Sequence, residues 1–524
     1  VTLAFNTIGY KPQNLFANIA DSIFGSSFAD QKRSATRAWV DNTGFELEGG
    51  LEVQADWAGK LEAVIESSAV AMALDTVKPP APAAGGGGGT GGGTGGAAAG
   101  QTAITVAPVV ALNRIATDTS ARIFNARDTE AGGDILVEAT GETAINAEVS
   151  ASALSVAAGY KGGSKSISVG LSLARNDIDS NVASFISATP IAATALGEQP
   201  TLVEVRSTGG EIRVAAWRSG EITALGTASA IAISASPNGG PAVAGGGTLA
   251  FNRISGSTEA YARQVLLATD GEDEGSGDVT IRAHDSTLID ASLRSVAAAV
   301  SVGKGGSKAV ALGVSVARNI IGQTPVAASY DYKASDYQPD DKKLTELVPG
   351  KRVLNDTALM RNEVYEYIGD KVTDSDGIRL HTQNFSDESK WKLLSYAPAV
   401  AATRAYLDRS QVEAAGALKL RALSSAGINA RVLSGSAAVG AGGTGSTTVS
   451  AAGVYAENRI YTSVDARAFG TEDRRAELAA ASASIRSESR TSISAVAGAA
   501  SVAASLGGSG TSLSVSIGLS LAFN

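Results

Sequence analysis

One short motif recurs seven times and restricts what this chain can fold into. Asn6, Asn113, Asn176, Asn252, Asn319, Asn458 and Asn524 each follow an Ala two residues earlier: Ala4, Ala111, Ala174, Ala250, Ala317, Ala456 and Ala522. Wherever the chain continues, Ile stands two residues later: Ile8, Ile115, Ile178, Ile254, Ile321 and Ile460. The Asn-to-Asn spacings are 107, 63, 76, 67, 139 and 66 residues. The basic unit is therefore about 65 residues, and the long spacings hold insertions. A unit that recurs in this way buries its apolar face against its neighbours, which gives an elongated array.

Each unit has one internal order. It opens on Gly and alternating apolar residues, as in Gly133 to Ala139, Gly210 to Ala215, Gly277 to Ala283 and Gly416 to Ala422. A period of two predicts a strand. An Ala/Ser/Val stretch follows, then a Gly-rich tip such as Gly162-Gly163 or Gly305-Gly306, then a second alternating run into Ala-x-Asn-x-Ile. Ala favours helix in isolation. Here its neighbours are Val, Ile, Ser, Thr and Gly in alternation, which predicts strand. Helix is expected in Leu15 to Trp39 and is a second option in Leu344 to Glu366. The predicted class is all-β: an elongated, β-solenoid-like repeat array decorated by long hairpins, with one small inserted module. A stack of antiparallel hairpins is the competing arrangement, suggested by the Gly-Gly tips.

The expected organisation is a partial repeat with a helical segment (1–44) and a repeat with a Gly-rich insertion at about 78–100 (45–130). Repeats 131–207 and 208–275 follow, then the first part of another (276–330). An aromatic-rich module (331–413), a repeat (414–475) and an incomplete repeat (476–524) complete the chain. Both ends stop in the same phase of the unit, as expected of a cut from a longer array.

In Ala-x-Asn-x-Ile the three named residues share one strand face. An Asn between Ala and Ile is expected to be buried, and a buried amide needs partners. Either the amides form a ladder between adjacent units, or each bonds local backbone at a turn. Catalysis is not expected of a residue present in every unit.

Cysteine is absent and the two histidines, His284 and His381, stand in no catalytic motif. Thiolate metal sites and disulfides are therefore excluded. The net charge of −9, with both signs interspersed, argues against nucleic acid as a partner. No apolar run approaches the length of a transmembrane helix. The chain is not expected to be an enzyme.

Two regions could hold ligands. The acidic run Asp270, Glu272, Asp273, Glu274 and Asp278 offers oxygens for Ca²⁺, although it follows no known Ca²⁺-loop spacing and also reads as a solvated turn. Asp370, Asp374 and Asp376 form a weaker acidic group. Residues 331–413 concentrate aromatics, among them Tyr365, Tyr367 and Trp391. These rings predict either a mini-core or a carbohydrate-binding platform. The glycine tract 85–96 lacks the Lys-Ser/Thr of a phosphate loop and reads as a linker or as an extended packed segment.

The units SVGLSLARNDI (168–178), ALGVSVARNII (311–321) and VSIGLSLAFN (515–524), with the insertion EVYEYIGD…TQNFSDESKWKLL (363–394), resemble the repeats of giant bacterial surface proteins of the filamentous-haemagglutinin and leukotoxin-like adhesin type. The resemblance implies a secreted or cell-surface β-rich protein that self-assembles with copies or further repeats, or an adhesin stalk that binds cell-surface glycans. It carries over no catalytic residue.

Overall fold

The structure is a computed structural model. It describes residues 2–10, 33–74, 101–127, 129–160, 162–189, 201–271, 277–322, 330–334, 344–355, 363–375, 377–380, 383, 385, 390–396, 401–470 and 475–524. The described chain is all-β, with no α-helix. Where helix was expected, the described residues hold strands and turns and no helix: Ser34–Asp41, which includes Trp39, and Glu346–Leu347, Arg352–Asn355 and Glu363–Tyr367 are strands. Ser34–Asp41 lies in register beside 117–124, and that pairing overrides local helix propensity. The rest of the first segment, 11–32, lies outside the described residues.

Two long sheets of eleven and ten strands carry the fold. Across the first run Thr2–Ile8 with Ser34–Asp41, then Gln101–Phe124, Ser164–Ser187, Pro241–Ser255 with Ser257–Arg263, Ser307–Ile321 with Ala401–Asp408, Ser446–Ile460 with Thr462–Phe469, and Ser512–Phe523. The main strands of the second are Leu51–Leu74, Ile135–Ala158, Ile212–Ala235, Val279–Gly303, Gln411–Gly442 and Glu477–Gly507. Every ladder within the two long sheets is parallel. The chain alternates between them in runs of one or two strands, each run in one sheet being followed by a run in the other. The Gly-rich tips are therefore not hairpins. Ala158 and Ser164 flank one tip and lie in different sheets, so the tip reverses the chain across the gap between sheets. The turn chemistry of the two reversals is the same, which is why the sequence suggested hairpins.

At the opposite end, a corner carries the chain from the first sheet to the second. Asn42, Asn125, Gln264 and Arg409 occupy it with φ of 52°, 50°, 56° and 49°. Their N–H groups continue the ladder, Asn125 donating to the Ser187 carbonyl and Gln264 to that of Asp408. A left-handed residue costs strain, and Asn tolerates it best.

Near the corner the inward positions carry a true apolar core. Val137, Ile186, Val214, Leu267, Ile281 and Leu420 are fully or nearly fully buried between the sheets. Ile115, Ile178, Ile254 and Ile321, the isoleucines of the motif, pack on Ile145, Ile222, Ile289 and Ile428 of the facing sheet.

The large insertion leaves the first sheet at Gly322 and returns at Ala401. It therefore interrupts a strand and does not extend a tip. Residues 401–413, which composition groups with the module, supply strands to the long sheets instead. The module has a four-stranded sheet (Tyr332–Lys333, Arg352–Asn355, Glu363–Tyr367, Trp391–Tyr396) and a two-stranded one. The glycine tract 85–96 lies outside the described residues.

Candidate functional site: a buried amide ladder

Parallel pairing with no slip puts the motif asparagines in one column: Asn6 opposite Asn113, Asn113 opposite Asn176, Asn176 opposite Asn252, Asn252 opposite Asn319, and Asn319 opposite Asn458. Each Nδ2 donates to the Oδ1 of the next. The distances are 2.9 Å from Asn6 to Asn113, and 2.8 Å for Asn113 to Asn176, Asn176 to Asn252, Asn252 to Asn319 and Asn319 to Asn458. Asn458 donates to Asn524 at 2.9 Å. Of the two partner sets open to the amide, the structure holds the ladder. Asn113, Asn176, Asn319 and Asn458 are fully buried and Asn252 is 2% exposed. A ladder of this kind uses one donor and one acceptor of each amide and always runs in the same sense. It fixes register, because a slip of one residue would turn the column outward and bury unpaired amides.

Ion pairs flank the ladder. Asp177, next to Asn176, is held by Arg114 at 3.3 Å, Arg175 at 3.0 Å and Arg253 at 3.2 Å. Burial works to raise the pKa of this carboxyl, but Arg253, Arg175 and Arg114 together outweigh it and hold the carboxyl below its ordinary value. Deeper still, Arg218 Nε donates to Asp285 at 2.7 Å, with side chains 1% and 0% exposed. Arg218 also donates to the Ser180 and Ser255 carbonyls. Both residues stand at inward positions of facing register. Sequence reading missed this pair, although opposite charges at inward positions of aligned units were its signal. A column of rings was missed as well: Phe185, Tyr261 and Tyr406 stack with centroids 4.8 and 4.7 Å apart.

The acidic run does not gather a described cation site. Asp270 bonds Arg206 at 2.6 Å, and Asp278 bonds Lys419 at 2.6 Å and the Ala417 N–H. Burial pushes the Asp278 carboxyl up, but the Lys419 and Ala417 hydrogen bonds outweigh that and lower its pKa. Glu272, Asp273 and Glu274 lie outside the described residues, as does Asp376. Among the described residues no group of three or more metal-ligating side chains occurs.

The rings of the inserted module turn inward. Trp391 is 2% and Tyr367 3% exposed, and Phe385 packs between Tyr365 and Trp391 at 5.0 and 4.7 Å. Tyr365 is half-buried against the same cluster. A sugar-stacking platform needs open ring faces. Tyr365, Tyr367 and Trp391 instead form the mini-core, which corrects the platform expectation. A small insertion with its own fold needs such large side chains to close over, and here Leu347, Val353 and Leu380 complete the cluster.

Fold and ladder together define an all-β protein of two long parallel sheets, the first of which carries a column of buried amides that ties each strand to the next. No protein-family model, curated protein or solved structure matches the chain. Among the described residues no helix is long and apolar enough to cross a membrane.

Proposed function

We propose that this chain is a structural segment of a giant extracellular or cell-surface bacterial β-repeat protein, a β-solenoid of about 65-residue coils that forms a fibre by end-to-end or lateral assembly. The observation that carries this reading is the asparagine ladder. Each amide is satisfied by the amide of a neighbouring coil and by no group of its own coil. A coil is thus complete only when it is stacked, and the ladder's constant sense admits further coils of the same pattern. The chemistry it performs is mechanical: it locks register along an axis. The resemblance of units 168–178, 311–321 and 515–524 to giant surface proteins supplies the cellular setting.

Electron microscopy of the native material tests the proposal. Ordered fibres with a strand spacing of about 4.8 Å along their axis support it. Compact particles that do not elongate would overturn it.

A further inference from the structure

The two halves of each coil are built in opposite senses. On the corner side of the ladder, large apolar residues point between the sheets and, the Arg218–Asp285 pair apart, most charged residues point out. Towards the tips, past the Val109, Val149, Leu293, Val432 and Val454 positions beside the ladder, the inward residues are small. Ser166, Ser168, Gly170 and Ser172 of one strand face Ala228, Ala230, Ala232 and Ser234 in the opposite sheet, and the other coils follow suit. Ala230, Ala232, Ala242, Ala244, Ala297, Ala299, Ala309 and Ala311 form one buried cluster. Serine hydroxyls bridge the sheets, Ser155 to Ser166 at 2.6 Å, Ser295 to Ser315 at 2.9 Å and Ser436 to Ser450 at 2.7 Å. The sheets approach so closely that a Cβ at Gly246 would stand 2.6 Å from the Val296 carbonyl oxygen.

The large apolar side chains of this half therefore face outward. On the first sheet the outward columns read Ile104, Ile167, Val243, Val310, Val449, Val515, then Val106, Val169, Gly245, Leu312, Ala451, Ile517. The next two read Pro108, Leu171, Gly247, Val314, Gly453, Leu519, and Val110, Leu173, Leu249, Val316, Tyr455, Leu521. Nothing in the four columns is charged. Leu312 is 49% exposed, and Leu171, Val310 and Val314 are 37%, 37% and 36% exposed, all on strands with a neighbour on each side. The far face of the slab repeats the pattern, with Ile231 at 41% and Val302 at 47%.

We propose that this inverted half is a lateral docking surface for a second copy of the chain, the outward face of the first sheet lying flat against the same face of its neighbour. The inference rests on the fibre reading above and names the surface that reading requires. Three observations select a copy as the occupant. First, four columns by six strands present roughly 600–700 Å² at ordinary strand spacings, close to the roughly 800 Å² per partner of a standard interface. Second, charge borders the strip on both sides, with Lys165, Lys304 and Lys308 at the tips and Arg175, Asp177 and Arg253 beside the ladder. A partner face needs the same bounded width, which this chain's own face has. Third, the slab is an open two-sheet stack and not a closed barrel, and sheets span a hydrocarbon layer only as closed barrels. The second face of the slab allows a further copy, so association continues past a dimer.

Sedimentation velocity of the 524-residue chain over a concentration series tests this, with Leu171→Lys/Leu312→Lys on the first face and Ile231→Lys/Val302→Lys on the second. The wild type is expected to form oligomers beyond the dimer. Lysines on the first face should weaken association at least about tenfold, because a charge is then buried in an apolar contact. Lysines on both faces should give monomers. Unchanged circular dichroism controls for folding, and Val310→Thr/Val314→Thr, nearly isosteric and strand-favouring, gives a graded version should the lysine variants fail to fold. Association unaffected by any of these substitutions overturns the proposal. So does flotation of the wild type with neutral phosphatidylcholine vesicles that the lysines abolish, since lipid would then be the occupant. Fibres that still form from the lysine variants leave the fibre reading standing and overturn the lateral surface alone.

Discussion

Replacing Asn252 by Ala removes two ladder bonds at once. Asn176 Nδ2 loses its acceptor at 2.8 Å, and Asn319 Oδ1 loses its donor at 2.8 Å. Both orphaned groups belong to fully buried side chains, out of reach of bulk water in the folded stack. Each unsatisfied group costs about 1–3 kcal/mol, so Asn252→Ala should destabilise the stack by about 2–6 kcal/mol. Asn6→Ala removes a half-buried amide and orphans only the Asn113 side-chain oxygen, so it should cost about half as much or less. Asn252→Asp keeps an acceptor for Asn176 but cannot donate to Asn319, and it buries a charge, so it should be worse than Ala at neutral pH. Urea unfolding of the three variants measures these differences. A stack of coils need not unfold in one step. Amide exchange in residues 249–254 and in the coils on either side therefore serves as the local readout. Equal effects at Asn6 and Asn252, or a loss below about 1 kcal/mol at Asn252, would refute the ladder as a register lock.

Other consequences follow from the same geometry. The Asp177 carboxyl has its pKa lowered in the fold, so its stabilising contribution is present above the ordinary carboxylate value and is lost as pH falls through the lowered one. The urea midpoint should drop across that acid range, and Asp177→Asn should flatten the drop while lowering the midpoint at pH 7. Arg218→Ala leaves Asp285 buried without its partner and should cost about 3–5 kcal/mol, whereas Arg218→Met/Asp285→Leu should recover much of the loss in the same assay. Gly246→Val places side-chain atoms where the facing backbone already stands, and should expose the alanine cluster to solvent and raise exchange in the tip half. Trp391→Ala should destabilise the inserted module by about 3–5 kcal/mol and leave exchange in the two long sheets unchanged.

The motif made the ladder legible because a face shared by Ala, Asn and Ile is set by the two-residue period alone, and parallel pairing then needs only equal spacing. The direction of the chain at the tips was not legible. A Gly-Gly reversal looks the same whether it joins neighbours in one sheet or crosses between two. Asn42 and Asn125 carried the residue type that suits a left-handed corner, but Gln264 and Arg409 hold the same conformation without that signal, imposed by the ladder around them. The aromatic cluster announced a separate module, yet only the alternating opening at Gly416 to Ala422 marked its end, so residues 401–413 fell to the module although Tyr406 belongs to the ring column of the first sheet. In the acidic run, spacing could not show that Asp270 and Asp278 each pair with a cation from elsewhere in the stack.

The stacking of coils is tested most directly by a single distance, and the absence of cysteine makes the labelling clean. Glu62 and Ser494 are exposed and share one column, through Asn146, Thr223, Asp290 and Asn429. Five strand steps separate them, so spin labels at Glu62→Cys and Ser494→Cys should lie about 24 Å apart in a narrow distribution measured by pulsed electron paramagnetic resonance. A broad distribution, or a mean beyond about 40 Å, would contradict the parallel stack on which the account depends.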